Sequence, residues 1–127
     1  MNFEKVMFAF FIVLALTLNF GFFIGDVDNP VHHDGLELAA ALVVSLIATV
    51  MKFGDRSQMG AVLLATSLVA DLQLLIAAGT WIWAVNISTS GTLLEVMPRI
   101  VSLSGGALLA NLVSVTLLIA ETISIRR

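Results

Sequence analysis

Long apolar runs separated by short polar turns set the pattern of this chain. The longest is Met59 to Val85, MGAVLLATSLVADLQLLIAAGTWIWAV. A helix rises about 1.5 Å per residue, so roughly 20 apolar residues cross a bilayer core. This run exceeds that length and predicts a transmembrane helix over about 58–85. Its one charged residue, Asp71, falls near the middle, at the depth of the membrane midplane. A carboxylate there carries an insertion penalty of about 2.5–3.5 kcal/mol and belongs against protein, water or a cation, not lipid.

The other runs divide the chain in the same way. Val6 to Ile24 predicts a first helix, about 5–25. It is too long for a signal-peptide core and no A-x-A-like site follows, so it reads as a retained span. Its phenylalanines fall on all faces, the pattern of a peripheral helix with much lipid contact, and Asn19 is its strongly polar interior residue. Asp34 and Glu37, three apart before an apolar run, form a capping-box start for a second helix over about 36–52. Ala41, Ser45 and Thr49 make a small-residue stripe on it. Lys52 to Ser57 forms a tight turn, with Gly54 suited to ending helix two and Ser57 to capping helix three. Trp81 and Trp83 sit where an interfacial aromatic belt belongs. After a polar connection containing Ser88, Ser90 and Gly91, Pro98 fits the first position of helix four, about 98–123. Ser102, Gly106, Ala110 and Ser114 recur every four residues along it, a candidate packing stripe, and Asn111 lies near its centre.

The expected fold is therefore all-α, a four-helix transmembrane bundle forming one integral membrane domain over residues 1–127. Composition agrees: 59% of residues are hydrophobic and 12% charged, against about 45–50% and 25% in soluble domains. Lys5, Lys52, Arg56, Arg126 and Arg127 fall at one end of such a bundle and Arg99 alone at the other. By the positive-inside rule both termini are cytoplasmic, with the 25–37 and 86–97 connections facing outward. In a Gram-negative bacterium that outward side would be the periplasm. Net charge is −3 with no basic run, which argues against nucleic acid, and there is no cysteine for thiol or disulfide chemistry.

Three places can carry chemistry. The first is Asp71 with Ser67, one turn away on the same face, and Asn111, at nearly the same depth on an antiparallel helix four. Asp71 and Asn111 can share a hydrogen bond or line one polar site. The reading stays open between a proton or cation site and interhelical glue. The second is the outer loop, where Asp26, Asp28, His32, His33, Asp34 and Glu37 crowd together. They can bind a divalent metal, sense external pH, concentrate cations at an outer mouth, or simply be solvated. No ligand spacing singles out a metal site. The third is Glu121, best read as an interfacial carboxylate. Phosphate-loop, zinc-protease, hydrolase-elbow and kinase motifs are all absent, as is a potassium-filter sequence, so an enzyme is not expected and no cofactor is implied.

The stretches MNFEKVMFAFFIVLALTLNFGFFIGDVDNP and KFGDRSQMGAVLLATSLVADLQL resemble a family of small, uncharacterised bacterial inner-membrane proteins with four helices. The resemblance implies the fold and no activity or site residue. Two functional classes follow from the residues. One is a channel or transport subunit for a proton or potassium-like cation, with Asp71 as its midplane site. The other is an accessory or sensor subunit of a larger transport complex. Beyond the lipid bilayer, the expected partners are further copies of the chain or that complex.

Overall fold

The computed structural model describes residues 3–24, 35–55, 57–86 and 92–126. Four helices make it up: α1 (Phe3–Phe23), α2 (Gly35–Lys52), α3 (Gln58–Asn86) and α4 (Thr92–Arg126). All four are long and apolar enough to cross a membrane. They stand in a ring in which α1 packs on α2 and α4, and α3 packs on the same two, with α3–α4 the most extensive contact. Sequence neighbours run antiparallel. The near end holds the start of α1, the α2–α3 turn and the end of α4, and the far end holds the other helix termini.

One periodicity builds the ring. The buried residues step alternately by three and four: Phe8, Ile12, Ala15, Asn19, Phe22 on α1 and Leu38, Ala41, Ser45, Ala48 on α2. On α3 they are Gly60, Leu63, Ser67, Ala70, Leu74, Ala77, and on α4 Met97, Ile100, Ser104, Ala107, Asn111, Ser114. A seven-residue repeat of this kind keeps one seam facing the partners as the helices wind about each other. Much of the seam is alanine, serine or asparagine, whereas large apolar side chains such as Phe10, Val50, Leu72 and Leu109 face outward. Lipid solvates the outer side chains, and small inner ones let helices approach and gain dispersion contact.

Three expectations need correction. The stripe of Ser102, Gly106, Ala110 and Ser114 is not the α4 seam: Ser102 is exposed, Gly106 and Ala110 are half-buried, and only Ser114 is buried. Steps of four advance about 400° around a helix, so such a stripe drifts off any fixed face. Ser104, fully buried, takes the place expected for Ser102. Helix α4 also starts at Thr92 instead of Pro98, which lies inside it. Pro98 is exposed near the far end, and its missing N–H removes one bond from the helix ladder there. Finally, α1 is no more peripheral than the other helices, although its outer side is exposed at Phe3, Phe10 and Phe20 as expected. It holds two neighbours like every other helix, and Phe8 and Phe22 are core residues. Helix α1 ends at Phe23, short of Gly25.

The apolar core falls into two clusters. Phe22, Leu38, Leu74, Met97 and Ile100 lie toward the far end, where Phe22 also meets Trp81 with ring centroids 6.1 Å apart. Phe8, Ile12, Ala48 and Leu63 lie toward the near end. Between the two come the polar residues of the seam.

The α2–α3 turn is closed by side chains. Asp55 Oδ1 accepts from the Ser57 backbone N–H (2.9 Å) and hydroxyl (2.7 Å), and Ser57 Oγ accepts from the Gly60 N–H (2.9 Å) as the cap of α3. The Asp55 carboxyl packs so closely on Gly60 that any Cβ there would collide with it. Lys52 Nζ sits 3.4 Å from Asp55 and 4.4 Å from the centroid of the Phe8 ring.

Two outcomes follow from this packing. Ser104→Leu should overpack the seam and cost about 1–3 kcal/mol, whereas Ser102→Leu should leave stability unchanged, as read by thermal unfolding in mild detergent. The Asp55 carboxyl is held below its ordinary pKa of 3.8 by the Ser57 hydroxyl first and the Ser57 N–H next, with Lys52 adding less. A group that is more acidic when folded stabilises the fold above its unfolded pKa, and that contribution disappears as pH falls through the folded one. The protection factor of the Gly60 amide should therefore drop in acid below about pH 4, and Asp55→Asn should remove the pH dependence.

Candidate functional site

The polar level begins with α2. Ser45 and Thr49 are four apart, so their hydroxyls lie one above the other on the face toward α3. Asp71 follows Ala70 on the α3 seam, and that single step turns its carboxyl toward α2. Ser45 Oγ donates to Asp71 Oδ1 at 2.6 Å, and Thr49 Oγ1 is hydrogen-bonded to Asp71 Oδ2. All three residues are buried, with Asp71 5% exposed. Among the described residues no lysine or arginine pairs with this carboxyl, Lys52 being engaged at the near end.

The Thr49 hydroxyl lies 2.9 Å from the Ser45 carbonyl as well. A hydroxyl has one proton, so the same heavy atoms fit two arrangements. With Asp71 ionised, both hydroxyls donate to the carboxylate. With Asp71 neutral, its own O–H donates to Thr49, Thr49 donates to the Ser45 carbonyl, and Ser45 still donates to Oδ1. The site closes its hydrogen bonds in either protonation state without moving a helix.

A second cross-link joins α3 to α4. Thr66 donates to the Leu63 carbonyl at 2.8 Å, so in its bond with Ser114 the Ser114 hydroxyl is the donor. Gln73 lies with its side-chain amide over Gly106 of α4, in space that a Cβ at Gly106 would fill. These two contacts fix the register of α3 against α4.

Asn111 then lies about 3–4.5 Å from Asp71 in depth, but the expected hydrogen bond between them is not made. Both polar atoms of the Asn111 side chain are without a partner, as is the hydroxyl of Ser67, and both residues are fully buried. The partners of Asp71 are on α2 instead, because α3 turns it away from the α4 seam. Asp26, Asp28, His32, His33 and Asp34 lie outside the described residues. Glu37 is half-buried at the far end, with its carboxyl against Gly21 of α1. Glu121 is half-buried near the other end of α4.

Residues 32–122 match the model of DUF6394, a family of unknown function. The chain belongs to this family. The DUF6394 match takes in α2, α3 and most of α4, and with them Ser45, Thr49, Asp71 and Asn111. No curated protein and no solved structure matches the chain.

The Asp71 bonds make a direct prediction for stability. Thr49→Val should cost about 0.5–2 kcal/mol in the wild-type background and distinctly less in an Asp71→Leu background. A double-mutant cycle on thermal unfolding in detergent measures that coupling.

Proposed function

We propose that this small multi-pass membrane protein is a proton-transport subunit and that Asp71 is the group that takes up and releases the proton. The observation that carries the reading is a buried carboxyl, near the midplane of its helix, held by two hydroxyls and paired with no lysine or arginine among the described residues. An ionisable residue placed so inside a membrane bundle is a functional candidate, since serine or asparagine would join helices with a smaller insertion penalty. A proton is favoured over potassium. Potassium filters replace the ion's hydration shell with rings of backbone carbonyls, whereas here the helix carbonyls are in use and both carboxyl oxygens already meet hydroxyls.

Charge gives the orientation of the proposal. With Lys5 and Lys52 at the near end, against Arg99 at the far end, both termini are cytoplasmic in a bacterial inner membrane. The two apolar clusters close the bundle above and below Asp71 in the arrangement described, so turnover requires them to part. That closure is also what favours the second reading, a non-transporting accessory subunit in which Asp71 joins α2 to α3. A self-associated form, read as mass in mild detergent, fits a subunit in either case.

Reconstitution separates the two readings. Liposomes carrying the wild-type protein should dissipate an imposed pH gradient, and Asp71→Asn should do so at least about tenfold more slowly, since the titratable group at that depth is gone. Equal dissipation by both proteins, or none above empty liposomes by either, would leave the accessory reading standing.

A further inference from the structure

Asp71 is only part of the polar level. Asn19, Ser67, Ser104 and Asn111 are each fully buried, and their side-chain polar atoms have no hydrogen-bond partner. Gln73 Oε1 is buried and unpartnered too. Orphaned groups of this kind are rare in folded proteins, and such a group is costly unless something bonds it. Here they are not scattered. Ser67 is one turn from Asp71 on α3, and the Thr66–Ser114 and Gln73–Gly106 contacts set the α4 register. Along the α3–α4 seam the order from far end to near end is Ser104, Gln73, Asn111, Ser67. Asn19 joins from α1. The side chains beside them on the seam are Ala70, Ala107 and the larger Leu74, all fully buried. The file ends at Met97 and Ile100 on one side and at Leu63 and Phe8 on the other.

We infer that this file is a binding site for bound water, and that Asp71 exchanges its proton through it, with Asn111 and Ser67 as the nearest station. Amide and hydroxyl groups that both donate and accept, grouped in a polar interior pocket, are what a buried water needs. The groups on the seam are neutral, so they can order water without trapping an ion. An excess proton entering at one end of the file passes from water to water and protonates the carboxylate, and release runs the same steps in reverse, so no hydroxide is left in the file. The inference rests on the reading of Asp71 as the proton-exchanging group.

The test uses the whole chain in detergent micelles, with the side-chain amides of asparagine and glutamine isotopically labelled and Asn111→Ser used to identify the Asn111 resonance. The Asn111 amide protons should show cross-relaxation with bound water. A resolved Asn111 amide with no water cross-peak would overturn the site. In liposomes Asn111→Leu should slow proton flux about tenfold while Asn111→Ser, which keeps a polar group, retains most of it. Flux unchanged by Asn111→Leu would overturn the relay. Absence of flux in the wild type would remove the transport reading and the relay with it, and the water cross-peak would still decide the hydrated site.

Discussion

A carboxyl group inside an apolar bundle has to be neutralised, paired with a cation or held by hydrogen bonds, because the low-dielectric interior gives an isolated charge nothing else. In this protein the third solution is built, with Ser45 and Thr49 of α2 as the partners of Asp71. Those bonds fix which way α3 faces. They also fix the register of α2 against α3, since two hydroxyls one turn apart can meet the two carboxyl oxygens in one alignment. Among the described residues no lysine or arginine is paired with Asp71.

The rest of the bundle serves that requirement by reversing the usual order of side-chain size. Alanine, serine and asparagine occupy much of the inward seam, and leucine, valine and phenylalanine cover the outside. In lipid the outer residues need no burial, so the interior is free to be small and polar. The result is a polar level flanked by two apolar clusters. In the transport cycle proposed above, helix movement at Phe22 and Ile100 or at Phe8 and Leu63 would decide from which side Asp71 is reached.

The sequence made four helices legible because hydropathy and length suffice for that, and the turns carried their own signals. Ser57 caps α3 as its position suggested. Asp71 stood out as the lone charge in the longest run. The inward seam did not stand out, because apolar residues cover every face of these helices and periodicity of hydrophobicity carries little contrast. Counting small residues at steps of four then selected Ser102 over Ser104. The partner of Asp71 was obscure for a related reason. Ala41, Ser45 and Thr49 are all buried, as a packing stripe requires, but nothing in the periodicity of α3 says that Asp71 turns to α2 and Gln73 to α4. Pro98 illustrates another limit: the preference of proline for a helix start is a tendency, and near a membrane surface the helix runs through it.

On the reading proposed, Asp71 gains and loses a proton where it sits. Infrared spectra of the protein in lipid bilayers, recorded across a pH series beside Asp71→Asn, test it most directly. A carbonyl stretch of a protonated carboxyl that changes with pH in the wild type and is missing from Asp71→Asn is the predicted result. The same carboxyl bands in both proteins at every pH would contradict it.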